Sequence, residues 1–230
     1  MKTDMGILES FSLKNKVALA EAGSRTYIAS RNLAALEQLA AEHRALGHDV
    51  RALPVDQTDE KSITALRDAI LQDSGRLDVL VNNAVARPAK DGYFSAAAAL
   101  EESMRVNGTG SIINIGSMMG LVGVEPLNYQ GTDMHGWYPD YFFHKGGMTN
   151  LTRFLASYYG PRGIRVNCIH PGGLNTGQPA AFLKNYSERT CLGRLANDTD
   201  LMGIVVFLAS AASVYLTGTN IPVDGGYTAK

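Results

Sequence analysis

The sequence predicts an α/β fold: a doubly wound parallel sheet with helices on both faces. Three observations predict it. Short β-branched runs alternate with longer segments of helical periodicity along most of the 230 residues, the order expected of strands joined by crossover helices. Glycine, 24 of 230, runs above the usual share of ~7%, which implies tight turns or close backbone approach to a ligand. The hydrophobic fraction of 45% suits one substantial core, since a domain of this size can bury roughly 70% of its unfolded surface. Residues 1–230 therefore read as a single domain.

Seven runs are the strand candidates: KVALA (16–20), TYIAS (26–30), VRALPVD (50–56), LDVLVNNA (77–84), SIINIGS (111–117), IRVNCIHPG (164–172) and NIPVDGG (220–226). Between them, Leu33, Leu36, Leu39, Ala40 and Leu46 form a one-face stripe over residues 32–46. Residues 57–73 repeat the pattern with Ile63, Leu66, Ile70 and Leu71 inward, and Thr58 or Asp59 suits the N-cap. Further helices are expected over about 94–106, 141–159 and 199–210. One junction resists the pattern. Only EAGSR separates KVALA from TYIAS, whereas parallel neighbours need a crossover of about a dozen residues or more. Either these two strands make an antiparallel hairpin or a crossover is missing from the chain.

Composition excludes several classes of function. Twenty-one basic against 22 acidic residues leave a net charge of −1, so there is no global basic field for nucleic acid. No apolar run approaches the roughly 18 residues of a membrane span, and MKTDMGILESF lacks the basic and then apolar pattern of a signal peptide. Cys168 and Cys191 form no CxxC, and His43, His48, His135, His144 and His170 show no HxxxH or HExxH spacing. A disulfide framework and a metal site are therefore not expected. The reading is a cytoplasmic protein with a small-molecule substrate and no membrane or nucleic-acid partner.

Tyr141-Phe142-Phe143-His144-Lys145 places a phenol and an ammonium one helical turn apart on one face. It follows INIGS, ending at Ser117, and precedes IRVNCIHPGG, with Thr176 four residues beyond Gly172. This ordered combination resembles the short-chain dehydrogenase/reductase family, and weaker matches extend the likeness over nearly the whole chain. LDVLVNNA resembles the family's Asn-Asn-Ala-Gly turn, with Val85 in place of the glycine, and TGTNIPVDGG resembles its C-terminal strand.

The resemblance implies a Rossmann-type fold and hydride exchange between NADP(H) and a small carbonyl or secondary alcohol. Tyr141 would be the general acid/base. A free tyrosine, with a pKa of about 10, is a poor base near neutrality, and a nearby cation favours its phenolate. Lys145 would supply that charge and hold the nicotinamide ribose. Ser117 would hydrogen-bond the substrate oxygen, and Asn107 would hold a relay water. The resemblance also assigns the cofactor to Asp56 on the adenine side, to the Asn83-Ala84 turn, to Tyr141 and Lys145, and to Pro171, Gly172, Gly173, Leu174 and Thr176. At the end of the second strand, Ser30 and Arg31 stand where an acidic residue would favour NAD. A guanidinium there forks a 2′-phosphate, so NADP is expected, with NAD the other possibility.

The chain departs from the pattern in two larger ways. The phosphate turn Thr-Gly-x-x-x-Gly-x-Gly should follow KVAL, yet AEAG follows it directly. A long helix should follow Asn107, yet RVNGTG runs straight into SIINIG. The chain reads as lacking the glycine-rich turn and part of a later helix, with breaks expected near 19–22 and 107–111. Conversely, Ser117 and Tyr141 are 24 positions apart, about twice the spacing the resemblance implies. The surplus, roughly Glu125 to Pro139, is rich in Gly, Pro, Asn and Asp and reads as a loop. Its hydrogen-bonding groups and Trp137 suit a sugar, polyol or sugar acid. A homo-oligomer, a tetramer, is implied by the resemblance, through Leu151, Phe154, Leu155 and Tyr158 and the C-terminal TGTNIPVDGGYTAK. The alternative is a non-catalytic dinucleotide-binding sensor or scaffold, which the missing turn favours and the retained Ser117, Tyr141 and Lys145 oppose.

Overall fold

A computed structural model describes residues 24–83, 109–134 and 139–230. The strand expected at KVALA, the helix expected at 94–106, and the residues Ala84, Val85, Asn107, His135 and Trp137 lie outside the described residues. So do the junction at 19–22 and residues 107–108; from Gly110 the strand runs unbroken into Ser111.

The described residues form two compact units. One holds residues 24–83 and 109–112 with 161–165 and 206–215, the other 113–134, 139–160, 166–205 and 216–230. In the first, β1 (Thr26–Ser30) pairs parallel with β2 (Val50–Pro54), Ser30 opposite Pro54. Helix α1 (Leu33–Ala45) connects them, capped by the Asn32 side chain on the Ala35 N–H. Its leucine stripe is only partly used: Ala40 is buried, Leu36 half-buried, and Leu33 and Leu39 stay exposed. Leu46 lies one residue past the helix, where the stripe has run off its face. Helix α2 (Glu60–Ser74) begins at Asp59, whose carboxylate accepts from the Lys61 N–H at 3.0 Å; it buries Ile63, Leu66 and Ile70 as expected, while Leu71, also expected inward, is only half-buried. Gly75 ends it in the left-handed region, φ 71°.

The strands β3 (Val79–Asn82), β4 (Gly110–Ile115), β5 (Ile164–Pro171) and β6 (Asn220–Val223) are neighbours in that order in a second sheet. β5 and β6 run parallel. β4 and β5 are buried along nearly their whole length, as strands covered on both faces must be. β6 closes the order, and its Pro222 is tolerated because an edge strand needs no donor on its outer side.

The second unit also holds α3 (Pro139–Tyr159), which buries Lys145, Met148, Thr152, Leu155, Ala156 and Tyr159. Asn114 of β4 donates to Thr152 Oγ1 at 3.0 Å, so the polar atoms at this wholly buried contact satisfy each other. Leu155, expected at a subunit contact, faces the core of its own unit instead, since it shares the buried side with Thr152 and Tyr159. Two further helices, α4 (Ala180–Ser187) and α5 (Met202–Ala209), follow β5. Among the described residues, no helix is long and apolar enough to cross a membrane.

Candidate active site

β4 ends at Ile115, and its continuation turns at Ser117 into the 3-10 turn Met118–Gly120. Ser117 is extended (φ −165°, ψ 151°), and its hydroxyl accepts from the Met119 N–H at 3.2 Å. The side chain therefore serves as a cap at the C-terminal end of an inner strand, where open α/β sheets present groups to ligands.

Helix α3 brings Tyr141 and Lys145 to this strand end. Lys145 Nζ donates to the Ile115 carbonyl at 2.8 Å and lies 5.8 Å from the centre of the Tyr141 ring. Lys145 is 6% exposed and Tyr141 38%, so the ammonium is sunk while the phenol stays accessible. Burial pushes the Lys145 pKa below the ordinary lysine value, and nearby Cys168 works weakly the other way. Gly120 makes this approach possible, because a Cβ there would stand 2.4 Å from the Lys145 carbonyl oxygen.

The turn after β5 is fixed from several sides. A Cβ on Gly172 would lie 2.8 Å from the Asp224 Cα. The Gly173 N–H donates to Tyr186 Oη at 2.5 Å, and Leu174 bridges Ala196. Leu174 and Thr176 remain exposed. Pro171 to Thr176 is thus a backbone ledge at the C-terminal end of β5.

Sequence reasoning missed the wall beside this ledge. Met118, Phe182, Tyr186 and Leu195 form a buried cluster, against which Tyr129 and Tyr227 pack. The described part of the loop expected at 125–139 docks there through Glu125, Asn128 and Gln130. Glu125 pairs with Arg189 at 2.9 Å, Asn185 donates to the Gln130 carbonyl at 2.9 Å, and Asn128 donates to Tyr227 Oη at 2.8 Å. Burial, and then the charges Tyr227 and Tyr141 would carry, raise the Tyr129 pKa. The one trace of α4 in the sequence is the pair Phe182 and Tyr186 four apart, just after Pro179, too short a stripe to mark a helix.

In the other unit, Ser30 and Arg31 stand at the end of β1, and Asp56 stands just beyond β2. Ser30 Oγ accepts from the Asn32 N–H at 3.3 Å. The Asp56 carboxylate accepts from the Thr58 N–H and hydroxyl, which together with Arg31 hold its pKa below the usual range. Arg31 is exposed and, among the described residues, makes no hydrogen bond. Asn83 is exposed directly after β3.

Comparison with known proteins settles what this arrangement belongs to. Residues 15–107 match the family model described as short chain dehydrogenase, and residues 89–228 match the one described as Enoyl-(Acyl carrier protein) reductase. The chain belongs to the short-chain dehydrogenase/reductase family.

It is 32% identical to cis-4-hydroxycyclohexanecarboxylate dehydrogenase of Sinomonas cyclohexanicum, covering 92% of this chain and 89% of that one. It is also 32% identical to 2-dehydro-3-deoxy-D-gluconate 5-dehydrogenase of Escherichia coli, over 97% and 100% of the two chains. A gluconate 5-dehydrogenase of Burkholderia cenocepacia, solved in complex with NADP and tartrate, superposes with a TM-score of 0.85 at 28% identity, over 98% and 100%. The protein is thus an NAD(P)-dependent short-chain dehydrogenase/reductase, and the sensor or scaffold reading gives way to an oxidoreductase. The alignment with the E. coli relative extends over 265 residues while covering 97% of this 230-residue chain. The relative therefore carries a few dozen residues with no counterpart here.

Taken by itself, the unit that holds α3 offers an accessible phenol beside a sunken ammonium, groups that fit a ribose; the unit that holds β1 offers an exposed guanidinium at a strand end, which fits a phosphate. A glycine-rich phosphate turn of the family's form occurs nowhere in the sequence.

Proposed function

We propose that this dehydrogenase interconverts a small, polyhydroxylated secondary alcohol and its ketone with NADP(H), using Tyr141 as general acid/base. The observation that carries the reading is the Lys145 ammonium held between the Ile115 carbonyl and the Tyr141 ring, two residues from Ser117. The nicotinamide dinucleotide, when bound, supplies hydride acceptance or donation at the substrate carbon.

The chain's own residues handle the proton. In the oxidation direction Ser117 Oγ orients the substrate oxygen, Tyr141 Oη takes its proton, and the Lys145 charge favours the negative charge the phenol oxygen bears before that transfer. Lys145 would also meet the ribose, Pro171 to Leu174 would offer backbone groups to the carboxamide, and Thr176 would meet the diphosphate. Ser30, Arg31, Asp56 and the Asn83-Ala84 turn would hold the adenosine end, with Arg31 on a 2′-phosphate. Asn107 would hold the relay water. With the phosphate turn absent, backbone N–H groups at a helix N-terminus are not offered to the diphosphate there, so cofactor affinity is weak.

The wall formed by Glu125 to Asp133, Tyr186 and Tyr227 supports a polar substrate. It mixes aromatic faces with an amide, phenols and an ion pair. The related enzymes named above act on a hydroxycyclohexanecarboxylate and on a sugar acid. A tetramer would use the outer face of α3, where Phe154 and Tyr158 stack at 6.1 Å and are half exposed. The free thiols Cys168 and Cys191 suit the reducing cytoplasm.

The test is turnover of NADP(H) against polyols, sugar acids and cyclic alcohols, with and without residues 125–139 replaced by a short glycine linker. The shortened enzyme should raise KM for the hydroxylated substrates and leave NADPH affinity nearly unchanged. An unchanged substrate preference would overturn the assignment.

A further inference from the structure

We infer that His170 is a positioning residue of this site: its Nδ1–H holds the Ser117 carbonyl, and a path of polar groups through Asn220 braces it from the helix carrying Tyr141 and Lys145. The inference rests on the reading of Ser117 as the ligand of the substrate oxygen.

His170 lies in β5 and is wholly buried. Its Nδ1 is 2.8 Å from the Ser117 carbonyl oxygen, and its Nε2 is 2.8 Å from Asn220 Oδ1. Asn220 Nδ2 in turn donates to the Thr149 carbonyl at 3.2 Å. Thr149 is one helical turn beyond Lys145 on α3. A continuous path of polar groups therefore joins the helix to the strand end through β6 and β5.

The chemistry of the path fixes its proton positions. A backbone carbonyl only accepts, so Nδ1 must carry the hydrogen. At the other end of the path the Asn220 amide nitrogen donates to the Thr149 carbonyl, so each end of the path closes on a backbone oxygen.

The ring also leaves the strand end little freedom. A Cβ at Gly116 would lie 2.7 Å from His170 Nδ1 and 2.8 Å from its Cε1, so the imidazole abuts the backbone just before Ser117. Lys145 holds the Ile115 carbonyl and His170 the Ser117 carbonyl. The two anchors together set where the Ser117 hydroxyl points relative to Tyr141.

The experiment is nitrogen NMR of the histidine-labelled full chain, combined with kinetics of Asn220→Ala, His170→Gln and His170→Ala. The wild-type spectrum should show a proton on His170 Nδ1. Asn220→Ala, which removes the brace, should lower kcat about tenfold, as a small misplacement of reacting groups does, with KM for the dinucleotide within about twofold. His170→Gln, which keeps a donor for the Ser117 carbonyl, should retain more turnover than His170→Ala. A His170 Nδ1 without a proton in the wild type overturns the bond to Ser117. Unchanged kcat in both Asn220→Ala and His170→Ala, whatever their thermal stability, overturns the positioning role. Full turnover in Ser117→Ala would overturn the reading of Ser117 itself, while the nitrogen spectrum still decides the bonds.

Discussion

Gly120→Ala gives the sharpest structural prediction. Gly120 has no positive φ, so alanine suits its backbone and the whole effect is steric. The added Cβ would stand 2.4 Å from the Lys145 carbonyl oxygen and 2.6 Å from its carbon. Both are backbone atoms inside a helix, so no rotamer relieves the clash. Restoring an ordinary contact of about 3.5 Å moves α3 and the Met118–Gly120 turn apart by roughly 1 Å. Overpacking of this kind costs about 1–3 kcal/mol, and the midpoint of thermal unfolding should fall by about 2–4 °C for each of them. The displacement separates Tyr141 and Lys145 from Ser117, and a 1 Å error in catalytic geometry costs about 100-fold. Turnover followed by the absorbance of the reduced nicotinamide should drop by that factor. Activity within about twofold of wild type, in a folded Gly120→Ala protein, would refute the packing of α3 on this turn as the source of the site's geometry.

Other perturbations separate the remaining parts. Arg31→Ala should weaken NADPH about tenfold or more, the worth of charge-assisted bonds to a phosphate, and leave NADH unaffected; titration by nicotinamide fluorescence would show this. Lys145→Met should abolish most turnover without destabilising the fold. Burial opposes the charged lysine, so its folded-state pKa lies below the unfolded one and the cost is fully present at neutral pH; it fades as pH rises through the lowered value toward 10.5. Urea unfolding of wild type and Lys145→Met across that range should converge. Burial holds the Cys168 thiol at a pKa of about 11, so an aromatic disulfide reagent at pH 8 should label Cys191 alone in the native protein and both thiols after denaturation.

The parts of this site readable in sequence are those encoded by short spacings. Tyr141 and Lys145 share a helix face because they are four apart, and Asp59 caps α2 because a carboxylate stands one residue before a helical stripe. The outer leucines of α1 show the limit, since periodicity marks a face but not what covers it. The eight-residue α4 contributes Phe182 and Tyr186 to the substrate wall, but two aromatics make too short a stripe to announce a helix. His170 was legible only as a histidine without metal-ligand spacing. Its partners come from residues 117 and 220, brought together by strand order.

The central claim is that Tyr141 moves the proton at a site built on Ser117 and Lys145. Single-turnover oxidation of the best alcohol substrate, with NADP in large excess to offset a weak cofactor grip, tests it most directly. Tyr141→Phe should slow the formation of reduced nicotinamide by about 100-fold or more while bound NADPH still shows its fluorescence change. Equal single-turnover rates for Tyr141→Phe and wild type would contradict the account.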